Sequence, residues 1–329
     1  MKKLLLFPFI IISLFLQSQK FTIDTLLTDK ISIRAIQLWD GKVWYAGTDS
    51  KFGYVDLENV NNKKQIRLSQ KSLQFRTLAQ NNKYFYAINI ESPAYFFQVD
   101  KKALDFKVVF NDNDPTAFYD ALKFTDNNFG LAFSDPSANQ RLNISQTRNG
   151  GANWINCKNC KDFPYLEKGE AAFAASNTNI ASFRNVIWIA TGGAKSRIYR
   201  MKNKDCNWQV FETPFTQGTS SQGIYSIDFY DKNFGIAVGG DYTKQSDNIN
   251  NIATTNDGGQ TWNSVGNNFP KRFYFFDEQN AYGINIDTQD VYKTIDGGQT
   301  WQIIISNDNS LCGIQNFAWF EDRIVHAGG

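Results

Sequence analysis

Hydrophobic residues in this chain fall in short runs that stop at Asn, Asp or Gly. Examples are YSIDFYD at 225–231 and FGIAVGG at 234–240, followed by FYFFDEQN at 273–280 and AYGINI at 281–286. Short apolar or alternating runs bounded by turn-forming residues are typical of β-strands. Beyond the N-terminus, no long stretch carries the period of an amphipathic helix. The pattern therefore predicts an all-β fold.

One octapeptide recurs, as TRNGGANW at 147–154, TNDGGQTW at 255–262 and TIDGGQTW at 294–301. Its third residue is an aspartate or asparagine that can accept backbone N–H groups, and its glycines permit positive φ. Its terminal tryptophan can pack beneath the turn. We interpret this Asp-box pattern as a tight hairpin turn that stabilises the fold and performs no chemistry. The structural positions are Asn149, Trp154, Asp257, Trp262, Asp296 and Trp301.

The spacing of these turns predicts the architecture. Terminal tryptophans at 154, 208, 262 and 301 lie 54, 54 and 39 residues apart. Repeats of about 40 to 50 residues, each of four strands, are typical of a β-propeller. Seven runs qualify as inner strands of blades: 32–39, 75–80, 118–124, 171–176, 225–230, 273–278 and 313–320. We therefore predict a seven-bladed β-propeller, with a six-bladed ring as the alternative, and expect residues 21–28 to complete the short last blade.

The N-terminal residues 1–19 have the pattern of a secretory signal peptide, with two lysines followed by an apolar run from Leu4 to Leu16. That run is too short for a membrane span. We therefore expect a single domain at 20–329, exported to the periplasm or outside the cell, monomeric and without a membrane span. A net charge of +2, from 34 basic and 32 acidic residues, argues against nucleic acid as a partner.

Four cysteines in an exported chain suggest oxidised pairs, and Cys157 and Cys160 form a C-x-x-C motif that favours a local disulfide. A thioredoxin-type pair requires a βαβ context, which this all-β stretch does not provide. A zinc site requires two further ligands, and His326 is the only histidine in the sequence. We expect no metal ion and no cofactor.

Five longer stretches are more specific than the octapeptides. They are FSDP at 133–136, GEAAFAASNT at 169–178, TGGAKSR at 191–197, ETPFTQGTSSQGIYSIDF at 212–229 and VGGDY at 238–242. Together they resemble the photosystem II stability/assembly factor-like propellers of bacteria, and the similarity runs from about Ser32 to Gly329. The resemblance implies a seven-bladed propeller that binds a partner polypeptide as an assembly factor. The chain departs from the family where its first two boxes, the degenerate copies YVDLEN at 54–59 and VDKKALDF at 99–106, lack glycines, and where its last blade is short.

Charged residues at the starts of the predicted inner strands form the candidate site. Arg34, Arg76 and Asp120 occupy comparable positions in the first three inner strands, and a glutamate precedes the fourth. Either these groups grip a carboxylate or a polar chain terminus, with the arginines as bidentate donors, or they form an ion-pair network that braces the blades. The candidate ligand-binding residues are Arg34, Arg76, Asp120, Glu170, Arg197, Asp241 and Tyr242.

A secreted glycoside hydrolase is the alternative function. It requires two carboxylates across one sugar, and Asp120, Asp135, Glu170 and Asp241 are the available acids. A sialidase also requires three arginines and a tyrosine paired with a glutamate, an inventory that the candidate residues supply. Redox chemistry is disfavoured because no G-x-G-x-x-G motif lies between a strand and a helix. We therefore predict an exported scaffold that binds a polypeptide or another polar ligand, rather than an enzyme.

Overall fold

The computed structural model describes residues 24–137, 140–157, 165–173, 177–244, 247, 249–265, 272–275, 281–285, 288, 290–296, 298–306, 314–320 and 323–328. All of the regular elements in these residues are β-strands, 28 in number. The described part of the chain holds no helix with the length and hydrophobicity needed to cross a membrane. The all-β prediction is confirmed.

Six units of four antiparallel strands, which we call blades 1 to 6, follow one another along the chain. Blades 1 to 3 contain β1 (Ile33–Trp39), β2 (Lys42–Gly47), β3 (Lys51–Asp56) and β4 (Lys63–Arg67); β5 (Phe75–Gln80), β6 (Tyr84–Asn89), β7 (Ala94–Asp100) and β8 (Phe106–Asp112); and β9 (Tyr119–Phe124), β10 (Gly130–Pro136), β11 (Leu142–Thr147) and β12 (Ile155–Asn156).

Blades 4 to 6 contain β14 (Ile180–Phe183), β15 (Val186–Ala190), β17 (Arg197–Lys202) and β18 (Trp208–Glu212); β19 (Gln222–Phe229), β20 (Gly235–Asp241), β21 (Ile252–Thr255) and β22 (Asn263–Ser264); and β23 (Arg272–Phe275), β24 (Ala281–Asn285), β25 (Asp290–Thr294) and β26 (Gln302–Ile305). Two short strands, β13 (Glu170–Ala171) and β16 (Gly192–Gly193), extend the sheet of blade 5 beside β19. A two-stranded sheet of β27 (Ile314–Phe320) and β28 (Arg323–Gly328) ends the chain.

The first strands of successive blades contact one another, from β1 and β5 through to β19 and β23, and β27 and β28 contact β1. First strands that meet around a common axis define a β-propeller, which confirms the predicted fold. The described residues form six complete blades, which matches the six-bladed alternative. The seven-blade count is not confirmed, because the last unit contributes only β27 and β28.

The segment expected to complete the last blade behaves differently from the prediction. Its described part, residues 24–28, forms no strand. Leu26 and Leu27, together with Ile31, instead pack against the apolar cluster of blade 1. For residues 24–28, apolar packing against blade 1 is therefore observed instead of the expected strand, and the rest of the predicted segment, 21–23, lies outside the described residues.

Six of the seven predicted inner strands coincide with first strands of sheets. The fourth prediction, 171–176, is wrong: the first strand of blade 4 is β14, at Ile180–Phe183. Ala171 lies in β13, which pairs with Gly192 and Gly193 across the upper end of blade 5. The alanine-rich run resembles a strand in its apolar pattern, but Ala171 belongs to the edge strand of the blade 5 sheet, and residues 174–176 lie outside the described residues.

The core lies between neighbouring blades. Trp44 and Phe52 of blade 1 pack on Phe85 of blade 2, with ring centroids 4.6 and 5.7 Å apart. Trp188 of blade 4 stacks on Phe229 of blade 5 at 3.6 Å. Because apolar side chains leave water on both sides of each sheet, packing between blades supplies much of the stability.

Strand direction divides the ring into two faces. The upper face carries the start of each first strand, the end of each second strand and the start of each third strand. The lower face carries the hairpins that join first to second and third to fourth strands. The octapeptides join β11 to β12, β21 to β22 and β25 to β26, and so they lie on the lower face, opposite the candidate site.

In the second octapeptide, Asp257 organises the turn. Its Oδ1 accepts the N–H groups of Gln260 and Thr261 at 2.9 Å, and Thr261 Oγ1 donates to Oδ2 at 2.7 Å. Asp296 accepts the equivalent bonds from Thr300.

The octapeptides also accept hydrogen bonds from the preceding blade. Trp188 Nε1 and Arg200 Nη1 of blade 4 donate to the Gly258 carbonyl of blade 5 at 2.9 and 2.8 Å. Tyr86 of blade 2 donates in the same way to the Gly150 carbonyl of blade 3. The repeated turns therefore join blades as well as closing hairpins.

Candidate functional site

A β-bulge recurs at the upper end of several inner strands, where the pairing register skips one residue of the strand. In blade 1, Ile33 pairs with Gly47 and Ala35 with Ala46, so Arg34 occupies the bulge. The same shift in register occurs in blades 2, 3 and 5 and in the C-terminal sheet. The bulge residues are Arg34, Arg76, Asp120, Tyr225 and Gln315. Bulges re-aim side chains and are common beside functional sites.

The register gives Arg34, Arg76 and Asp120 equivalent places on three adjacent inner strands, as the sequence comparison of those strands predicts. Both arginines are half-buried. Burial lowers the pKa of Arg34, and the positive charge of Arg76 adds to the effect. Burial also lowers the pKa of Arg76, against the opposing influence of Asp120 and Glu91. The two cations are therefore close enough to repel each other.

Asp120 is fully buried, at 0 % exposure, and neither of its carboxylate oxygens accepts a hydrogen bond from a described residue. Burial raises its pKa well above the usual range, and Asp135 adds to this while Arg76 opposes it. Burial also raises the pKa of Asp135 to about 6, although the Ala172 N–H donates to its Oδ1 at 3.0 Å. These effects favour the neutral form of Asp120 relative to a carboxyl exposed to water.

Glu170 and Arg197 form a buried ion pair that links β13 to β17. Arg197 Nη2 lies 2.5 Å from Glu170 Oε2, and Arg197 Nε lies within 3.2 Å of both carboxylate oxygens. Thr191 and Tyr199 donate to Oε1 at 2.6 and 3.0 Å, and the Glu167 N–H donates to Oε2 at 2.9 Å. This geometry agrees with the interpretation that Glu170 and Arg197 belong to an ion-pair network that braces the blades.

Asp241 closes a turn at the end of β20. It accepts the N–H and the hydroxyl of Thr243 at 2.9 and 2.7 Å, and the amide of Gln222 at 3.1 Å. These bonds, with the Thr243 hydroxyl foremost, hold the pKa of Asp241 well below its usual range. The neighbouring Tyr242 is 53 % exposed.

The seven predicted site residues thus occupy three places. Arg34, Arg76 and Asp120 share the bulge position of blades 1 to 3. The second group is the buried pair of Glu170 in β13 and Arg197 in blade 4, and the third is the turn of blade 5 with its exposed tyrosine. The predicted Cys157–Cys160 pair extends beyond the described residues. Among the described residues, no cluster of three His, Cys, Asp or Glu side chains is suited to hold a metal ion.

Sequence reasoning missed Tyr225 as the equivalent of Arg34 in blade 5. A signal for it exists in the sequence. The segments IRAI, FRTL, YDAL, IYSI and IQNF each place the bulge residue between an apolar residue and a small or polar one, with a second apolar residue following. This four-residue pattern predicts the position of the bulge whether or not the bulge residue is charged.

No family model and no curated protein matches this chain. Its fold is similar to that of "YCF48 bound to D1 peptide", at 13% identity over 91% of this chain and 90% of that chain, with a TM-score of 0.62. It is also similar to the WD40 β-propeller domain of Doa1, at 12% identity over 93% and 92% of the two chains, with a TM-score of 0.60. BamB from Moraxella catarrhalis matches at 11% identity over 90% and 80%, with a TM-score of 0.53. Likeness at these identities shows the β-propeller fold alone.

Proposed function

We propose that this protein is an exported β-propeller that binds a polypeptide, or another polar ligand, at the upper mouth of its channel and acts as a scaffold or assembly factor. One observation carries the proposal: Arg34 and Arg76 occupy equivalent bulges on adjacent inner strands, and both side chains are only half-buried, so they remain in contact with water. Paired guanidinium groups suit a carboxylate, which they can bind through two parallel hydrogen bonds.

The comparisons support a polypeptide as the ligand by analogy. One structure with a similar fold is described as bound to a peptide. The longer sequence stretches resemble a family of assembly factors, which points in the same direction. Because one fold hosts many functions, the site rather than the fold carries the argument.

The positions of three of the four candidate acids favour binding over glycoside hydrolysis. A hydrolase requires two carboxylates that reach the sugar. Asp120, Glu170 and Asp241 are 0, 1 and 5 % exposed, and the last two accept several hydrogen bonds from within the chain. The tyrosine that contacts Glu170 is Tyr199, which is itself fully buried, and so it cannot act on a substrate as a sialidase nucleophile does.

A thermal-shift screen tests the proposal with two matched double variants of the chain from residue 20 onward. Arg34→Gln with Arg76→Gln removes both mouth cations. Arg148→Gln with Arg184→Gln makes the same change in charge at exposed positions on the lower face. The probes are peptides with free carboxyl ends and acidic glycans. Since a ligand that binds only the folded state raises the melting temperature, a peptide is expected to stabilise the wild type and the lower-face variant but not the mouth variant.

Two other outcomes contradict the proposal. If no probe shifts any form and the mouth variant alone melts much lower, the arginines brace the ring. If an acidic glycan binds at the mouth and is cleaved, the protein is a hydrolase.

A further inference from the structure

The lower face of the ring carries a polar cleft of about 360 Å³ between blades 3 and 4. The cleft joins the β9–β10 hairpin and the first octapeptide, both of blade 3, to the β17–β18 hairpin of blade 4. We call it the Arg148 cleft. Its lining residues are Asp126, Asn127, Asn128, Phe129, Arg148 and Lys204. It lies on the face opposite the mouth and shares no residue with the candidate site described above.

The only acid that lines the cleft, Asp126, is engaged within the chain. Its Oδ1 accepts the N–H groups of Asn128 and Phe129 at 2.8 and 2.7 Å, and its Oδ2 accepts a hydrogen bond from the ammonium group of Lys204. With Arg148 added, two cations and one anion line the cleft, so one positive charge remains in excess.

Arg148 keeps most of its hydrogen-bonding capacity for a ligand. A guanidinium group carries five N–H donors in a planar fork. Among the described residues, only Nη2 of Arg148 has an acceptor, namely the Lys204 carbonyl. The side-chain amide of Asn128 makes no hydrogen bond to a described residue, and Asn127 uses its Oδ1 to accept the Asn82 N–H at 3.0 Å. The cleft therefore offers free N–H donors and a free amide.

The two cations are held over one aromatic ring. Arg148 Cζ and Lys204 Nζ each lie 5.3 Å from the centroid of the Phe129 ring. A cation over the face of a ring is attracted by the ring's quadrupole. Because Phe129 is only 2 % exposed, it positions the charges but presents almost no apolar surface to a ligand.

Lys204 occupies a backbone position that glycine takes in the regular octapeptides. Aligned on the terminal tryptophan, it corresponds to Gly150 and Gly258, and its φ is +56°. A residue with a side chain is strained in this left-handed conformation, and such strain is concentrated at functional sites. In the second octapeptide the equivalent of Arg148 is Asn256, so the turn forms without a cation at either position.

We infer that the Arg148 cleft is a second binding site, independent of the mouth, and that it binds an acidic sugar. The oxyanion of the sugar, a carboxylate or a sulfate ester, accepts two parallel hydrogen bonds from the free donors of Arg148. Hydroxyl groups both donate and accept, as do the side-chain amides of Asn127 and Asn128 with which they pair. The volume of the cleft is in the range of small-molecule sites and exceeds what an inorganic anion requires.

The test is isothermal titration calorimetry of the chain from residue 20 onward at constant ionic strength. The probes are D-galacturonate and galactose 6-sulfate, with galactose, sodium sulfate and the peptide acetyl-Ala-Glu-Ala-amide as references. At least one of the two acidic sugars is expected to bind the wild type about tenfold more tightly than any reference. Only an acidic sugar engages both the guanidinium group and the amides.

Arg148→Gln is expected to weaken the binding of the acidic sugar by about tenfold or more, because it removes hydrogen bonds to a charged group. Arg184→Gln is the matched control, since Arg184 is an exposed arginine on the lower face that does not line the cleft. It should leave binding unchanged. Asn128→Ala breaks no hydrogen bond to a described residue; it should weaken the binding of the sugar by about fivefold and leave that of sulfate unchanged.

Three results would overturn this inference. They are no binding of either acidic sugar by the wild type, binding that Arg148→Gln leaves unchanged, and binding of sulfate or of the peptide as tight as that of the sugars. Arg34 and Arg76 are intact in all three variants, so these results leave the proposed function standing. In the thermal-shift screen, an acidic glycan should stabilise the mouth variant but not the lower-face variant, which is the reverse of the result expected for a peptide.

Discussion

Two aspartates, Asp257 on the lower face of the ring and Asp120 on the upper face, are held in opposite ways. On the lower face, Asp257 takes its donors from within four residues, among them Thr255, Gln260 and Thr261. On the upper face, Asp120 accepts no hydrogen bond from a described residue. Although burial opposes it, bonding to Thr261 and its neighbours lowers the pKa of Asp257, whereas burial raises the pKa of Asp120.

This difference distinguishes a structural carboxylate from one that responds to its surroundings. A turn that satisfies its own aspartate stabilises any blade into which it is copied, which explains why the octapeptide recurs. The charge of Asp120 instead depends on groups from other strands, namely Arg76 of β5 and Asp135 of β10. Repetition along the chain therefore marks stability, and the bulge position, where residue type varies from blade to blade, marks the candidate site.

The largest effect is expected where an upper-face carboxylate does have partners. Arg197→Met removes the cation bound to Glu170, which then stays buried without its counter-charge. Breaking a buried ion pair from one side costs about 3–5 kcal/mol, so the free energy of unfolding should fall by about that amount. Urea denaturation measures this change in the free energy of unfolding, provided that the m-value is the same for the variant and the wild type.

Lys195→Met is the control for that measurement. Lys195 lies in the same connection and contacts Glu212 at 3.3 Å, but both side chains are substantially exposed. An exposed pair contributes about 0–1 kcal/mol. If Arg197→Met costs no more than Lys195→Met, Glu170 and Arg197 do not brace the ring and they belong with the ligand-binding groups.

A smaller loss is expected on the lower face. Asp257→Ala removes an acceptor of several backbone and hydroxyl donors in an exposed turn, and should cost about 1–2 kcal/mol. Asp257→Asn should cost less than half of that, because Asn149 accepts the N–H of Asn153 at 2.9 Å in the first octapeptide. Equal losses for the two substitutions would show that the negative charge, rather than the acceptor geometry, organises the turn. Thermal and urea unfolding of both variants measure the difference.

The sequence was sufficient to predict those features that depend on local chemistry. Turn residues, strand lengths and repeat spacing identified the all-β propeller and most of its inner strands. Comparison of the inner strands also aligned Arg34, Arg76 and Asp120. Each of these inferences uses residues that are close together in the chain.

Features set by distant contacts were not predictable in this way. The run at 171–176 reads as an inner strand, yet Ala171 crosses blade 5 because Gly192 and Gly193 allow a close backbone approach. Glu170 and Arg197 were predicted as ligand-binding residues without any sign in the sequence that they contact each other. Pairing across 27 residues depends on the fold and not on a local motif.

The smallest expected effect comes from the same substitution, aspartate to asparagine, made at Asp120 on the upper face and at Asp257 on the lower face. Asp120 has a raised pKa in the folded state, so the folded protein binds more protons than the unfolded chain above the usual pKa of an aspartate, about 3.9. The wild type therefore loses stability through this group as pH rises. Asp120→Asn cannot ionise, and its stability relative to the wild type should increase as the pH rises from 5 to 8.

Asp257→Asn should show no such trend, because a lowered pKa works in the opposite direction. The stability that Asp257 contributes is fully present above the unfolded pKa and is lost only as pH falls below about 4. The measurement is urea unfolding of the wild type and both variants at pH 5, 6.5 and 8. Parallel curves for the two variants would mean that Asp120 ionises as freely as a turn aspartate, and the contrast between the two carboxylates would then be wrong.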